Sequence, residues 1–151
     1  MQKATRSVTY RVSESPGELR SSVTIAPTEH SLPREQLQKV SARLYSAVWD
    51  TGANETCIST RVIEDLGLIS TSMRLVDLPE RSSSPQRAYE IEIRIGSIQP
   101  FRIMATGLSI DDCDVLLGMD IISQGDLAIS GGDNPMFSFR SPSEGTIDFS
   151  T

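Results

Sequence analysis

One segment constrains this chain more than any other. Ala47-Val48-Trp49-Asp50-Thr51-Gly52-Ala53 is an apolar run that ends in a carboxylate and passes at once into small, turn-forming residues. A strand that stops on Asp50 can reverse tightly there, because Gly52 and Ala53 put little in the way of the backbone. Small residues also let two such loops approach each other. A plain Asx turn, in which Asp50 only bonds its own backbone, is the alternative reading. Asp-Thr-Gly occurs once, and the chain has no internal repeat.

The surroundings point to an all-β domain. Apolar residues make up 38% of the 151 residues but aromatics only 5%, so Val, Ile and Leu must fill the core, and these favour strands. The length suits one domain with one core. Val40, Ala42, Leu44 and Val48 predict a strand running into Trp49-Asp50. After the loop, Ser59 or Thr60 can cap a helix carrying Val62, Ile63 and Leu66, which Gly67 stops. Ser7–Val12 and Leu19–Ile25, joined through Pro16-Gly17, predict an N-terminal hairpin. Met73–Leu78 and Ala88–Ile95 predict a second one, with the polar stretch Pro79–Arg87 as its tip, and Ile98–Ala105 returns after Gly96-Ser97. Beyond the acidic loop Asp111–Asp114 come the apolar strand Val115-Leu116-Leu117, a short helix in Gly118–Gln124, and a last hairpin from Leu127–Ser130 and Met136–Arg140. The division expected is an N-terminal hairpin or extension over 1–34, a main domain over 35–140 and a flexible tail over 141–151.

Charge and residue counts remove several functions. A formal charge of -6 leaves no positive footprint for nucleic acid. Cys57 and Cys113 form no Cys-x-x-Cys pair, and one histidine, His30, leaves a zinc site short of ligands. Asp111, Asp112 and Asp114 lack the glycine and distal glutamate of a calcium loop, so a solvated acidic loop is favoured over a calcium-binding domain. No metal and no cofactor are expected. No apolar run nears the roughly 20 residues of a membrane helix, and Met1–Thr9 leads into no signal-like segment. A cytoplasmic protein without membrane partners is the expectation.

Taken together, the strand, Asp50-Thr51-Gly52-Ala53-Asn54-Glu55-Thr56, the capped helix and the later Val115-Leu116-Leu117-Gly118 resemble the retropepsin family of aspartic proteases. The resemblance spans roughly Val40 to Arg140. It implies a single-lobe acid-protease β-barrel with one or two short helices, working as a homodimer on peptide or protein substrates. By that resemblance Asp50 is the catalytic carboxylate, Thr51 buttresses the pair across the dimer axis, and Gly52 allows close backbone approach. Ala53 and Asn54 would meet the substrate, and Glu55 would favour basic side chains there or else lie on solvated surface. Leu116, Leu117 and Gly118 form the structural loop beneath the site.

The single Asp-Thr-Gly bears on assembly. Metal-free peptide hydrolysis needs a base to activate water and an acid to protonate the carbonyl oxygen. Two carboxylates about 3 Å apart do both, because they share one proton. A two-lobed enzyme in one chain needs about twice this length, so a twofold homodimer is the economical answer, with a mildly acidic optimum. The competing reading is a non-catalytic retropepsin-fold module for peptide binding or dimerisation.

Further expectations concern the cover, the partner surface and the surroundings of the motif. The hairpin tipped by Pro79–Arg87 is the candidate flap, although Ser82-Ser83-Ser84-Pro85 offers none of the glycines usual in the family. Met136–Phe139 is either part of the dimer surface or an internal strand. Met119-Asp120 stands where retroviral enzymes place a basic residue, so any salt-bridge network anchored there must be rebuilt. Cys57 is expected to pack behind the motif, and Trp49 beside it.

Overall fold

The structure, a computed structural model, describes residues 4–14, 17–78 and 81–150. Its elements in chain order are β1 (Arg6–Arg11), β2 (Arg20–Pro27), α1 (Arg34–Leu37), β3 (Arg43–Trp49), β4 (Cys57–Ser59), α2 (Thr60–Leu66), β5 (Ser72–Leu78), β6 (Arg81–Arg94), β7 (Phe101–Leu108), β8 (Val115–Leu117), α3 (Met119–Ile122), β9 (Asp126–Ser130) and β10 (Met136–Ser141). Strands dominate, as the Val/Ile/Leu-rich composition requires. The short helices number three among the described residues, not one or two.

Seven strands run in the order β2-β3-β8-β4-β7-β6-β5, and β2 also pairs with β6. Six of them therefore close a ring, while β5 pairs only with β6 among the described strands. Along β6, residues 91–94 bond to β2 and residues 81–88 to β5. Since β7 pairs with residues 88–93 of β6, the first half of β6 and all of β5 project from the barrel as a two-stranded ribbon.

A second sheet, β1-β10-β9, contributes to the same core as the barrel. Phe137 and Phe139 point inward from β10 and pack on Trp49, with ring centroids 5.7 and 5.0 Å apart. Both phenylalanines are buried, and each such side chain contributes about 1.5–3 kcal/mol by leaving water. Of the two roles expected for Met136–Phe139, the internal one is found; a partner cannot reach these two rings without unpacking the core.

Other expectations are corrected. β1 and β2 do not pair with each other: β1 adds to β10, and β2 joins β3 and β6. Two local strands with a turn signal satisfy the hairpin pattern, but each here finds a longer-range partner. In β3 the buried residues are Tyr45, Ala47 and Trp49, whereas Leu44 is 69% exposed. The wide rings of Tyr45 and Trp49 bury more apolar area than Leu44 and Val48, and strand alternation then turns the latter pair outward. Ser82–Arg87 is strand, not loop tip, with Pro85 opposite Leu75. Pro79 and Glu80, and Pro16 in the first expected turn, lie outside the described residues.

Candidate active site

The Asp50 loop is positioned by its two ends. On its N-terminal side β3 lies parallel to β8, and the Asp50 N–H extends that ladder by donating to Leu117 O at 2.9 Å. On its C-terminal side the chain enters β4, which lies antiparallel to β8 and parallel to β7. β8 thus runs beneath both ends of the loop, with Leu117 buried and Leu116 half-buried.

Within the loop the turn is closed by its own backbone. Gly52 N–H donates to Asp50 Oδ1 at 2.9 Å, and Ala53 N–H donates to Asp50 O at 3.2 Å. The Asx turn weighed as an alternative is therefore present and serves to aim the carboxylate. A Cβ on Gly52 would lie 3.2 Å from Asp50 Oδ1, so the small residue there is tied to that contact. Asp50 is half-buried, while Thr51 and Gly52 are exposed at the turn.

The loop is clamped again beyond Gly52. Met119 N–H donates to Ala53 O at 2.8 Å, and Asp120 N–H donates to Asn54 O at 3.2 Å. Asp120 accepts from Thr56 N–H at 3.0 Å and from the Thr56 hydroxyl at 2.7 Å. That hydroxyl in turn accepts from Gly118 N–H at 3.1 Å. Gly118 presses so closely that an added Cβ would fall 2.5 Å from Glu55 C and 2.9 Å from Thr56 N. The position where a basic residue was absent is thus occupied by a different solution, in which Asp120 reaches back to the loop as an acceptor.

Glu55 is neither free nor simply solvated. Its Oε2 lies 3.0 Å from Arg74 Nη1 on β5 and accepts from the Thr106 hydroxyl at 3.3 Å. The sequence alone gives Arg74 no role, shows Thr56 only as the last residue of the motif, and marks Asp120 only as a departure from the retroviral pattern. Thr56 and Asp120 are 64 positions apart and carry no local signal of their meeting.

Burial pushes the Cys57 thiol up to about 11, and the nearby Glu55, Asp120 and Asp50 carboxylates add to it. A thiol held that firmly in its neutral form is a packing residue, as expected for Cys57. Both cysteines are free and buried. Among the described residues no group of three or more His, Cys, Asp or Glu is placed to hold a metal, and no helix is long and apolar enough to cross a membrane. Asp114 from the acidic loop accepts instead from Ser46 N–H at 3.0 Å and pairs with Arg61. His30 sits 3.0 Å from Glu90, beside Arg102. Burial alone would raise the Glu90 pKa, but hydrogen bonds from His30, Thr28 and Arg102 outweigh it and hold the carboxyl at about 2.

Two surface clefts, of about 330 and 440 Å³, lie between β4–α2 and the acidic loop and between α2 and the β5–β6 ribbon; neither is lined by Asp50.

Comparison with known proteins places this architecture. No curated protein matches the sequence. Among solved structures, a retropepsin-like aspartic protease from Rickettsia conorii is similar, with a TM-score of 0.56 at 15% identity over 93% of this chain and 98% of that one. The retroviral protease-like domain of Ddi1 from Leishmania major is similar over 77% of this chain and 89% of that one, with a TM-score of 0.41 and 18% identity. The first of these establishes a retropepsin-like fold. Residues 38–124, which hold the Asp50 loop, β8 and the Asp120 clamp, match the family described as gag-polyprotein putative aspartyl protease. On that match, the chain belongs to the gag-polyprotein aspartyl protease family.

Proposed function

We propose that this chain is one half of an aspartic endopeptidase, in which two copies bring their Asp50 carboxylates together to hydrolyse peptide bonds. The observation that carries this reading is the Asp50 loop: one half-buried carboxylate, aimed by Gly52 N–H and fastened to β8 through Leu117 O. A single such group cannot be general acid and general base in the same step. Two facing copies share one proton, so that one carboxylate takes a proton from water while the other gives its proton to the carbonyl oxygen. Thr51, exposed at the turn, is available to bond across the dimer axis, and Gly52, Ala53 and Asn54 border the cleft that the second copy completes.

Turnover of a peptide library by the wild-type protein and by Asp50→Asn tests the proposal, with sedimentation measured on both. Cleavage should be sensitive to a pepstatin-like inhibitor and should fall by about 10²–10⁴-fold or more in the variant, while the dimer and the melting temperature persist. Undiminished cleavage by Asp50→Asn would overturn the mechanism. A wild-type dimer that binds peptides and cleaves none would instead identify a non-catalytic retropepsin-fold module, the alternative for which the glycine-free stretch Ser82-Ser83-Ser84-Pro85 leaves room.

A further inference from the structure

Arg74 and Glu55 meet where the projecting ribbon comes over the catalytic loop. Arg74 Nη1 lies 3.0 Å from Glu55 Oε2 and 3.3 Å from Met104 O, so one guanidinium nitrogen bridges the loop and β7. By strand alternation, and by the register Arg74↔Gln86 and Val76↔Ser84, the ribbon face that carries Arg74 also carries Val76, Ser84 and Gln86. That face is turned toward the loop that presents Asp50. The two side chains are 33% and 44% exposed, so the pair borders solvent.

We propose that Arg74 sets the charge selectivity of the substrate subsite beside Glu55, an inference that rests on the peptide-cleft reading above. With Arg74 in place the Glu55 carboxylate is already neutralised, and the subsite does not select cationic side chains. A lysine on the substrate would have to displace a guanidinium that Met104 O also holds, and would replace one ion pair by another. Without Arg74, Glu55 becomes an unpaired, half-exposed carboxylate. It then favours Lys over an uncharged residue by about two- to fivefold, the usual range for ion pairs this exposed. On this proposal the preference for basic side chains expected of Glu55 is cancelled in the intact protein. Arg74 acts here through Glu55, as a specificity-determining residue and not as part of the acid–base chemistry.

The test uses peptide pairs identical except for Lys or Leu, with that position moved stepwise along the sites flanking the scissile bond. In the wild-type dimer the Lys-to-Leu ratio of kcat/KM should stay near one at the position nearest Glu55. Arg74→Gln should raise it about two- to fivefold there, through KM, and Glu55→Gln/Arg74→Gln should return it to the wild-type value. Arg74→Lys keeps the charge and should keep the ratio. A merely structural role would shift both peptides alike. The inference is overturned by an unchanged ratio in Arg74→Gln, by a ratio already raised in the wild type, or by one that stays raised in the double variant. The same labelled pairs, read by fluorescence anisotropy in the Asp50→Asn background, report affinity without turnover. Absent cleavage with the expected binding ratios would sink only the endopeptidase reading, and failure of every variant to bind either peptide would sink this inference as well.

Discussion

Residues 50–56 and the ribbon formed by residues 72–78 and 81–88 approach each other across the Arg74–Glu55 pair, yet they are held by opposite means. The loop is fastened through backbone groups at Asp50, Ala53, Asn54 and Thr56, against β8 and the start of α3. Thr56 and Gly118 are buried within it. The ribbon has one strand on each side of its ladder and little beneath it: Met73 is 58% and Leu75 75% exposed. A support that fixes a carboxylate to within tenths of an ångström needs short contacts that cannot relax. A segment that lets a chain in and out needs few buried contacts, so that its opening is inexpensive. The same barrel holds a tightly clamped loop and a sparsely packed ribbon, because six of its strands close on one another and β5 stays at the edge.

Three substitutions break or sharpen this contrast. The largest effect is expected for Gly118→Ala, whose methyl would meet the backbone of Glu55 and Thr56. At or above the upper end of the usual 1–3 kcal/mol for overpacking, it should lower the melting temperature by about 6–12 °C at fixed protein concentration. A loss of only a degree or two would show that the clamp yields, and the contrast would weaken. Next comes Thr56→Val, which keeps the shape but leaves the Gly118 N–H without its acceptor and takes one donor from Asp120. Chemical denaturation should show a loss of about 1–3 kcal/mol. The smallest is Leu75→Ser on the ribbon, expected within about 0.5 kcal/mol of wild type. A cost matching that of Thr56→Val would mean that the ribbon is packed against a surface, such as the second copy.

Much of the site was legible because its signals are local. Ser59 was named as one of two possible caps, and its hydroxyl does accept from Val62 N–H; Gly67 ends α2 at φ 64°, where a residue with a side chain is strained. Val115–Leu117 followed by Gly118 was read as the element beneath the loop, and β8 lies there. What could not be read was partner choice. The first half of β6 reads as a polar loop tip because Ser82-Ser83-Ser84-Pro85 lacks apolar alternation, and strand formation there comes from the ladder with β5. Likewise the alternation before Asp50 was assigned to the wrong face, since Leu44 and Tyr45 are both apolar enough to be buried and only the opposite wall decides between them.

The order of residues by itself determined a β-rich chain with one Asp-Thr-Gly loop, its flanking strand and helix, and a single carboxylate per copy. These follow from side-chain type, short-range periodicity and turn chemistry, all of which act within a few residues. Only the tertiary structure decided that β1 crosses to β10, that Asp120 reaches Thr56, and that Arg74 pairs with Glu55. Each of those contacts joins residues far apart along the chain or on separate elements. It exists because closing the barrel brings particular backbones within hydrogen-bonding distance, which no local preference encodes.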